Sequence, residues 1–174
     1  DAGYVDVKFN PTADNTDFVA TASITDAAGN SAGPVSDSAR LQLSAPGKPI
    51  VTITEDADNN GYISQDELDG EIGVSVTLPG TAVAGDTLNV DTDGDGQPDY
   101  SKELTADDIV KGSVDVPGVQ NPGEGATLTV DAWVTDPAGN SGEVGSDSAV
   151  IDTVAPSITV DAPDNTNDST PTIT

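Results

Sequence analysis

Residues 56–67, DADNNGYISQDE, carry side-chain oxygens at alternate positions before a glycine. Hard cations such as calcium (Ca²⁺) are bound by this spacing, because alternate side chains of a tight loop point to one centre. Gly61, at position 6 of the twelve-residue pattern, permits the sharp reversal that such a loop needs. The sequence therefore predicts a calcium loop of EF-hand type; a solvated acidic turn without metal is the alternative. Its candidate ligands are Asp56, Asp58, Asn60, the carbonyl of Tyr62, Ser64 (directly or through water) and the bidentate Glu67.

The segments on either side of this loop have the pattern of strands, whereas an EF-hand places its loop between two helices. Residues 50–54 are mostly β-branched, and in residues 71–78 apolar side chains alternate with polar or small ones. We therefore expect a loop grafted between two strands. A bound ion would act there as a structural staple, since there is no helix pair for it to open.

A second acidic cluster, DTDGDGQPD at residues 91–99, starts with the same alternation and has Gly96 at the turn. Position 12 of this copy is Lys102, and Glu103 comes one residue late, so the closing bidentate ligand is in doubt. A plain β-hairpin tip is the competing interpretation, because Asp-Gly pairs favour such turns. The candidate calcium ligands are Asp91, Asp93, Asp95 and Asp99.

The third candidate is the repeated motif Thr-Asp-x-Ala-Gly-Asn at residues 25–30 and 135–140. If it joins the last two strands of a sandwich, Asp136 and Asn140 would meet oxygens of the junction at 42–49. Asp152 would serve the following junction in the same way. The alternative, an Asx-turn held by its own side chains, is equally compatible with the motif.

The charge of the chain limits its partners. The 174 residues include 31 Asp or Glu and 5 Lys or Arg, which gives a formal net charge of −26, and there is no Cys or His. Such a surface repels phosphate backbones and anionic lipids, so we expect no nucleic-acid partner. The absence of Cys and His excludes disulfides, thiolate zinc sites and Ser–His or Cys–His dyads. Oxygen-based metal chemistry remains, with adaptation to high salt as another cause of the acidity.

An internal repeat organises the chain. Residues 18–46 align without gaps to residues 128–156, with thirteen of the 29 positions identical at an offset of 110. The similarity continues upstream as residues 4–7 against 113–116. A repeat of this size is a domain. We therefore predict the C-terminal half of one domain at 1–46, a complete domain at 47–154 and the start of a further one at 155–174.

The hydrophobic pattern predicts an all-β fold: tandem immunoglobulin-like β-sandwich domains of about seven strands with calcium-binding loops. Only residues 105–109 favour a helical turn, with Thr105 as N-cap. Arg40 replaces Val150 in the first copy, so that position is expected to face water. Trp133 has the opposite parity from Val130 and Val134 and is expected on the outer face. The predicted strands are 50–54, 72–78, 86–91, 114–116, 128–134 and 146–152.

The segments VTITEDADNNGYISQDEL, TDPAGNSG and DTVAP resemble the bacterial immunoglobulin-like extender repeats of large calcium-dependent surface adhesins, including RTX-type and biofilm-associated proteins. The resemblance implies a stalk in which calcium within and between domains stiffens a row of sandwiches. It implies a location outside the cell, on the bacterial surface, and neighbouring repeats of the same chain as partners. No apolar run reaches the length of a spanning helix, so direct membrane insertion is not expected.

Two other classes of function compete with the extender. A binding module would recognise a sugar or a protein through an exposed loop or the face that carries Trp133; an aromatic that merely covers a neighbouring strand is the simpler interpretation of that residue. A glycosidase could use paired carboxylates. The acids here, however, have chelating spacing on loops, and the pattern shows no apolar cleft, so we expect no enzymatic activity.

Overall fold

The computed structural model describes residues 6–8, 13–68 and 70–162, together with 165, 167 and 169. The regular secondary structure of the described chain is almost entirely β. Its strands are β1 (Thr16–Thr25), β2 (Ser31–Leu41), β3 (Ile50–Ile53), β4 (Tyr62–Ile63), β5 (Ile72–Thr77), β6 (Thr87–Asp91), β7 (Tyr100–Glu103), β8 (Ser113–Val119), β9 (Thr127–Thr135) and β10 (Gly145–Ile151), and its helix is α1 (Ala106–Lys111).

Residues 50–151 form two sheets. One has the strand order β3-β5-β8, and the other has the order β4-β10-β9-β6-β7. All neighbouring strands are antiparallel except β4, which runs parallel to β10. This segment therefore has eight strands where about seven were predicted. The two that the sequence did not reveal are β4 and β7.

Alternation along the strands places one apolar core between the two sheets. On β5, Ile72, Val74 and Val76 are buried while the residues between them are half-buried. On β9, the fully buried residues are the predicted ones, including Val130 and Val134. Each such side chain contributes about 1.5–3 kcal/mol when removed from water. Because both sheets supply residues to one cluster, the segment is a two-layer sandwich.

The predicted facing of the last strands is also found. Ala149 and Ile151 are buried, whereas Val150 between them is half-exposed. Trp133 lies on the outer face of the five-stranded sheet, opposite Asn89 of β6. Parity alone was sufficient for these predictions because strand side chains alternate strictly between the two faces.

Strand β4 was missed because it lies inside the predicted calcium loop. Tyr62 and Ile63 pair with Val150 and Ile151 of β10, and the Ile63 side chain is fully buried. Ile63, at position 8 of the loop, therefore packs in the core and fixes the loop to the sandwich. The acidic loop is held between β3 and β4, and its closing part follows β4.

The second missed strand, β7, lies at the edge of its sheet. Its sequence YSKE is mostly polar, so no alternation of apolar and polar residues marks it as a strand. It leads into α1, where the prediction of a helical turn is confirmed. Thr105 is the N-cap, and Asp108 completes a capping box by accepting from the Thr105 backbone N–H at 2.9 Å. Lys102 of β7 forms an ion pair with the same Asp108 carboxylate.

The first repeat is represented by the antiparallel hairpin β1–β2, whose residues are almost all exposed. Residues 152–162 form no strand or helix. The predicted domain limits stay predictions: the correspondence of 4–7 with 113–116 and the start of a further domain after 155 lie partly outside the described residues. No helix in the described part of the chain is long and apolar enough to cross a membrane.

Candidate metal centres

The first acidic loop follows β3 and is organised by its first residue. The Asp56 carboxylate is buried; its Oδ1 accepts from the Asn60 N–H and its Oδ2 from the Gly61 N–H, both at 2.9 Å. Gly61 has a φ of 84°, in the left-handed region that favours glycine. The chain therefore reverses around Asp56, as the predicted loop requires.

Three carboxylates meet inside this loop. Oxygens of Asp56, Asp58 and Glu67 all lie within 4.8 Å of one another. Glu67 is fixed by Ser64, whose backbone N–H and hydroxyl donate to Oε2 at 3.0 and 2.8 Å. These bonds lower the pKa of Glu67, so the group stays ionised. Carboxylates this close repel by roughly 1 kcal/mol per pair even in water, and a divalent cation would remove that cost.

The other predicted ligands of the first loop have definite places. The Asn60 side-chain Oδ1 accepts from the Tyr62 N–H at 2.9 Å, which joins the turn to β4. Asp58 Oδ1 accepts from the Asn60 N–H at 3.2 Å. Because these bonds hold the backbone and leave lone pairs on each oxygen, they orient the side chains without saturating them.

The second loop repeats three of these bonds and differs at Oδ1 of its first residue, which accepts from Asp93 N and Gly94 N at 3.1 and 2.7 Å. Asp91 is buried like Asp56, and its Oδ2 accepts from the Gly96 N–H at 2.8 Å. Asp93 Oδ1 accepts from Asp95 N at 3.1 Å, and Asp95 Oδ1 from Gln97 N at 2.7 Å. The same bonds link positions 1 to 6, 3 to 5 and 5 to 7 in both loops. The two loops thus share the geometry of their first seven positions and differ in the acid that closes them.

The pKa of Asp91 reflects this geometry. Burial opposes its ionisation, but the backbone N–H groups of Gly94, Gly96 and Asp93 outweigh burial and lower the pKa. The carboxylate is therefore charged and ready for a cation. Donors supplied by the loop's own backbone replace the water that burial removes.

The closing carboxylate of the second loop is Asp99. Oxygens of Asp91, Asp93 and Asp99 lie within 4.8 Å of one another, whereas Asp95 is not part of this group. Asp99 Oδ2 is held by the Thr92 backbone N–H at 2.8 Å and the Thr92 hydroxyl at 2.7 Å. Lys102, which occupies position 12, is engaged by Asp108. The third acid therefore comes from position 9 of the pattern.

The two Thr-Asp-x-Ala-Gly-Asn motifs form identical turns between β1 and β2 and between β9 and β10. In the second, Asp136 Oδ1 accepts from Ala138 N at 2.9 Å and Asn140 N at 2.8 Å, and Oδ2 accepts from Asn140 Nδ2 at 2.8 Å. Asp26 makes the same three bonds at 2.9, 2.8 and 2.8 Å in the first. The Asx-turn interpretation therefore describes both motifs.

The second motif also meets the junction that precedes it. Asn140 Nδ2 donates to the backbone carbonyl of Gln42 at 3.1 Å, and the Gly47 N–H donates to the Thr81 hydroxyl at 2.7 Å. Between these contacts lies a cavity of about 140 Å³. From the sandwich its lining includes Asp136 and the residues Thr81, Val83 and Asp86 between β5 and β6. The remaining lining residues belong to the first hairpin and the linker: Asn15, Arg40, Gln42, Ser44, Ala45 and Pro46.

Asp86 is the residue of this junction that sequence reasoning missed. It is only 1% exposed, and its Oδ1 has no hydrogen-bond partner in the described part of the chain, while Oδ2 accepts from the Val83 N–H at 2.9 Å. Burial raises its pKa, and the charge of nearby Asp136 adds to the rise. A lone aspartate before a strand carries no sequence signal, because only the fold brings it beside Asp136.

Asp152 lies at the other end of the sandwich. Its backbone N–H donates to the carbonyl of Ile63 at 3.0 Å, and its exposed side chain lines a surface depression with Ser64–Asp66 and residues 153–156. The next residue, Thr153, donates its N–H and hydroxyl to Glu124 at 3.0 and 2.7 Å. The first acidic loop is thus adjacent to the segment by which the chain leaves the sandwich.

Comparison of this chain with models of known protein families finds no match, and comparison with curated proteins finds none either.

Proposed function

We propose that this chain is a calcium-stiffened structural extender, a stalk segment of a bacterial cell-surface adhesin that projects a distal binding region. In this proposal the segment 47–154 is an immunoglobulin-like repeat, and the first hairpin belongs to the preceding one. The observation that carries the proposal is that the two acidic loops share three backbone-to-carboxylate or amide bonds and that each has three carboxylates whose oxygens lie within 4.8 Å. Repulsion among the three carboxylates of each loop is a cost that a bound cation would remove.

Calcium suits these loops better than other cations. They supply carboxylate, amide and backbone carbonyl oxygens without nitrogen or sulfur ligands, since the chain has no His or Cys. Ca²⁺ takes six to eight such oxygens in flexible geometry, whereas Mg²⁺ demands a near-ideal octahedron and retains several waters. Sites of extracellular modules bind calcium with dissociation constants of about 10⁻⁴–10⁻³ M, which matches an exposed stalk.

The placement of the acids at both ends of the sandwich explains how ions would stiffen a rod. At the exit, the first loop is adjacent to Asp152 and the departing chain. At the entry, Asp86 and Asp136 face the linker from the preceding hairpin. We propose that a further ion binds between these two carboxylates. Both carboxylates belong to the second repeat, so an ion there removes bending freedom when linker residues that line the same cavity, such as Gln42 and Ser44, supply further oxygens.

The test combines ion counting, melting and scattering on the whole chain. We expect titration calorimetry to find at least two calcium ions, and chelator to lower the melting temperature strongly. Saturation at about 100 times the dissociation constant adds roughly 2.7 kcal/mol per site. Small-angle scattering should report a longer, more uniform particle with calcium than with chelator.

A matched pair of variants controls this test. Asp58→Ala with Glu67→Ala should remove one ion and part of the melting shift. Asp17→Ala with Glu143→Ala removes the same charge from exposed positions outside the loops and should retain both. A chain that melts and scatters identically with and without calcium would refute the proposal.

One observation favours a second candidate, a calcium-dependent carbohydrate-binding module. The half-buried Trp133 and the buried Asp91 line the same open depression on the outer face of the five-stranded sheet, together with Gly96, Asp131, Ser141, Gly142 and Val144. A sugar ring stacks on an indole face, and its hydroxyls can complete a calcium shell. Screening the chain against a glycan array with and without calcium tests this candidate; a spacer alone binds nothing.

A further inference from the structure

The dipeptide Asn60–Gly61 in the first acidic loop carries chemistry that metal binding does not use. Of the asparagines in the chain, Asn60 alone is followed by glycine. The backbone nitrogen of the next residue can attack an asparagine side-chain amide, and glycine hinders this attack least because it has no Cβ. Asn60 is exposed, and a Cβ on Gly61 would meet no atom of the described residues within 4 Å beyond its chain neighbours. The dipeptide therefore has room to react and is open to water.

Two hydrogen bonds hold the dipeptide in a fixed conformation in the folded turn. The Gly61 N–H donates to Oδ2 of the buried Asp56 at 2.9 Å, and Oδ1 of Asn60 accepts from the Tyr62 N–H at 2.9 Å. Attack requires the Gly61 nitrogen to lie close to the amide carbon in the correct orientation. Because the two bonds orient the nitrogen and the amide toward other partners, we expect ring closure to require local opening of the turn.

We propose that Asn60 is a deamidation site controlled by calcium: the reaction proceeds in the ion-free loop and is suppressed when calcium closes the loop. The Gly61 nitrogen attacks Cγ of Asn60, so that a new C–N bond forms and the Cγ–Nδ2 bond breaks. The proton of the Gly61 nitrogen leaves with the amide nitrogen as ammonia, and a succinimide ring remains. Water then opens the ring at either carbonyl carbon, which gives aspartate or isoaspartate. Water is the only co-reactant.

Little packing opposes local opening of this turn. Residues 57–60 are all exposed, and Asn59 has a φ of 54°, in the left-handed region that most residues avoid. Segments with so few buried contacts open at low cost in free energy. The calcium dependence rests on the ion binding proposed above for this loop. Because the ion binds only the closed turn, calcium at about 100 times its dissociation constant lowers the open population about a hundredfold.

The two products have different consequences for the loop. Aspartate at position 5 is compatible with the geometry, because Asp95 occupies that position in the second loop and its Oδ1 accepts from the Gln97 N–H at 2.7 Å. Isoaspartate places an extra methylene group in the backbone between positions 5 and 6. That insertion moves the Gly61 N–H away from Asp56, so we expect the isoaspartate form to lose the ion of the first loop. A period without calcium would then damage this site irreversibly.

Peptide mapping by mass spectrometry on the whole chain tests the proposal. Samples are kept in mildly alkaline buffer with calcium or with chelator, and the loss of the Asn60 amide is measured over time. We expect conversion in chelator, and calcium at about 100 times its dissociation constant should slow it about a hundredfold. Asn140 is the internal control, because serine follows it and its amide nitrogen donates to Asp136 at 2.8 Å. It should keep its amide under both conditions.

Paired variants separate closure of the first loop from other effects of calcium. Asp58→Ala with Glu67→Ala removes two carboxylates of this loop, so Asn60 should convert as fast in calcium as in chelator. Asp91→Asn disables the second loop and should leave the protection of Asn60 by calcium intact. Asn60→Asp should bind as many ions as the wild type, whereas the purified isoaspartate form should bind one ion fewer.

Calorimetry on the same samples distinguishes a failure of this inference from a failure of the stalk function. Equal rates in calcium and in chelator, with an ion counted at the first loop, overturn the inference and leave the stalk function standing. Equal rates with no ion counted refute both. An Asn60 side chain that keeps its amide in chelator for as long as Asn140 does also overturns the inference.

Discussion

The Ile53 backbone N–H donates to Asp147 Oδ2 at 2.8 Å, and this bond joins the two sheets of the sandwich across 94 residues of sequence. A strand N–H that leaves its own ladder needs a partner, because an unpaired buried donor costs free energy. The half-buried Asp147 carboxylate supplies it from the facing sheet. The register of β3 on β10 is therefore set by one charged acceptor together with the apolar contacts around it.

Removing this acceptor should destabilise the sandwich. We expect Asp147→Ala to lower the free energy of unfolding by about 1.5–3 kcal/mol, the usual contribution of a hydrogen bond to a charged group. Urea denaturation in the presence of calcium measures the change. Glu143→Ala, in the exposed loop just before β10, is the control and should change stability by less than about 0.5 kcal/mol. Equal losses in both variants would contradict the assigned role of Asp147.

The two acidic loops should lose their ions independently. Asp91→Asn keeps the shape of the side chain and one acceptor but removes the charge at the centre of the second loop. We expect calorimetry to find one ion fewer, with binding at the first loop unchanged, because the loops share no ligand. Asp56→Asn should show the converse. Loss of both ions in either single variant would show that the two loops are coupled.

The junction residue Asp86 should have opposite effects with and without calcium. Its buried carboxylate has one oxygen without a partner among the residues that the structure describes, and it lies near Asp136. In chelator, Asp86→Asn should stabilise the chain by about 1 kcal/mol, because the unpaired buried charge is removed. In calcium, the same variant should be less stable than the wild type, because a ligand is lost.

Arg40 controls for a simpler electrostatic effect at this junction, since its guanidinium also lines the cavity. Arg40→Gln removes a charge from the cavity wall but no anionic ligand. Its effect on stability should therefore have the same sign in calcium and in chelator, whereas the effect of Asp86→Asn should change sign. Melting curves of both variants with and without calcium measure these effects. Asp86→Asn shifting stability in one direction under both conditions would rule out an ion at the junction.

Acid should weaken the cap of α1. Hydrogen bonds from Lys102 and Thr105 hold the pKa of Asp108 well below its ordinary value of 3.8. When folding lowers the pKa of a carboxyl group, its ionised form stabilises the folded state. This contribution is fully present above the pKa of the unfolded state and is lost as the pH falls through the pKa of the folded state. Asp108→Asn should therefore be less stable than the wild type near neutral pH, and the gap should shrink below about pH 4.

Urea midpoints in chelator at several pH values measure this gap. Acid protonates many carboxylates and reduces their mutual repulsion in wild type and variant alike. The difference in midpoint between the two proteins is therefore free of this general effect. Asp107→Asn, an exposed neighbour in the same turn, is the control for charge alone. A gap for Asp108→Asn that stays constant or widens in acid would contradict the role of the ion pair.

The sequence by itself determined the features that repeat locally. Strict alternation identified the sandwich strands with long apolar runs, including β5 and β9, because strand side chains alternate between faces. Oxygen spacing around Gly61 and Gly96 located both loops, because a turn of this kind is built from adjacent residues. Thr105 was identified as a cap for the same reason, since its partner is three residues away.

Only the tertiary structure decided what depends on distant partners. The two-residue strand β4 exists because β10 lies beside it, and the burial of Ile63 holds it there. Asp99 closes the second loop because bonds from Thr92 bring its carboxylate beside those of Asp91 and Asp93, which residue spacing alone did not decide. Asp86 becomes a junction residue only when folding places it beside Asp136. Short-range patterns record the local geometry of the chain, whereas burial and charge pairing arise between residues that the sequence separates.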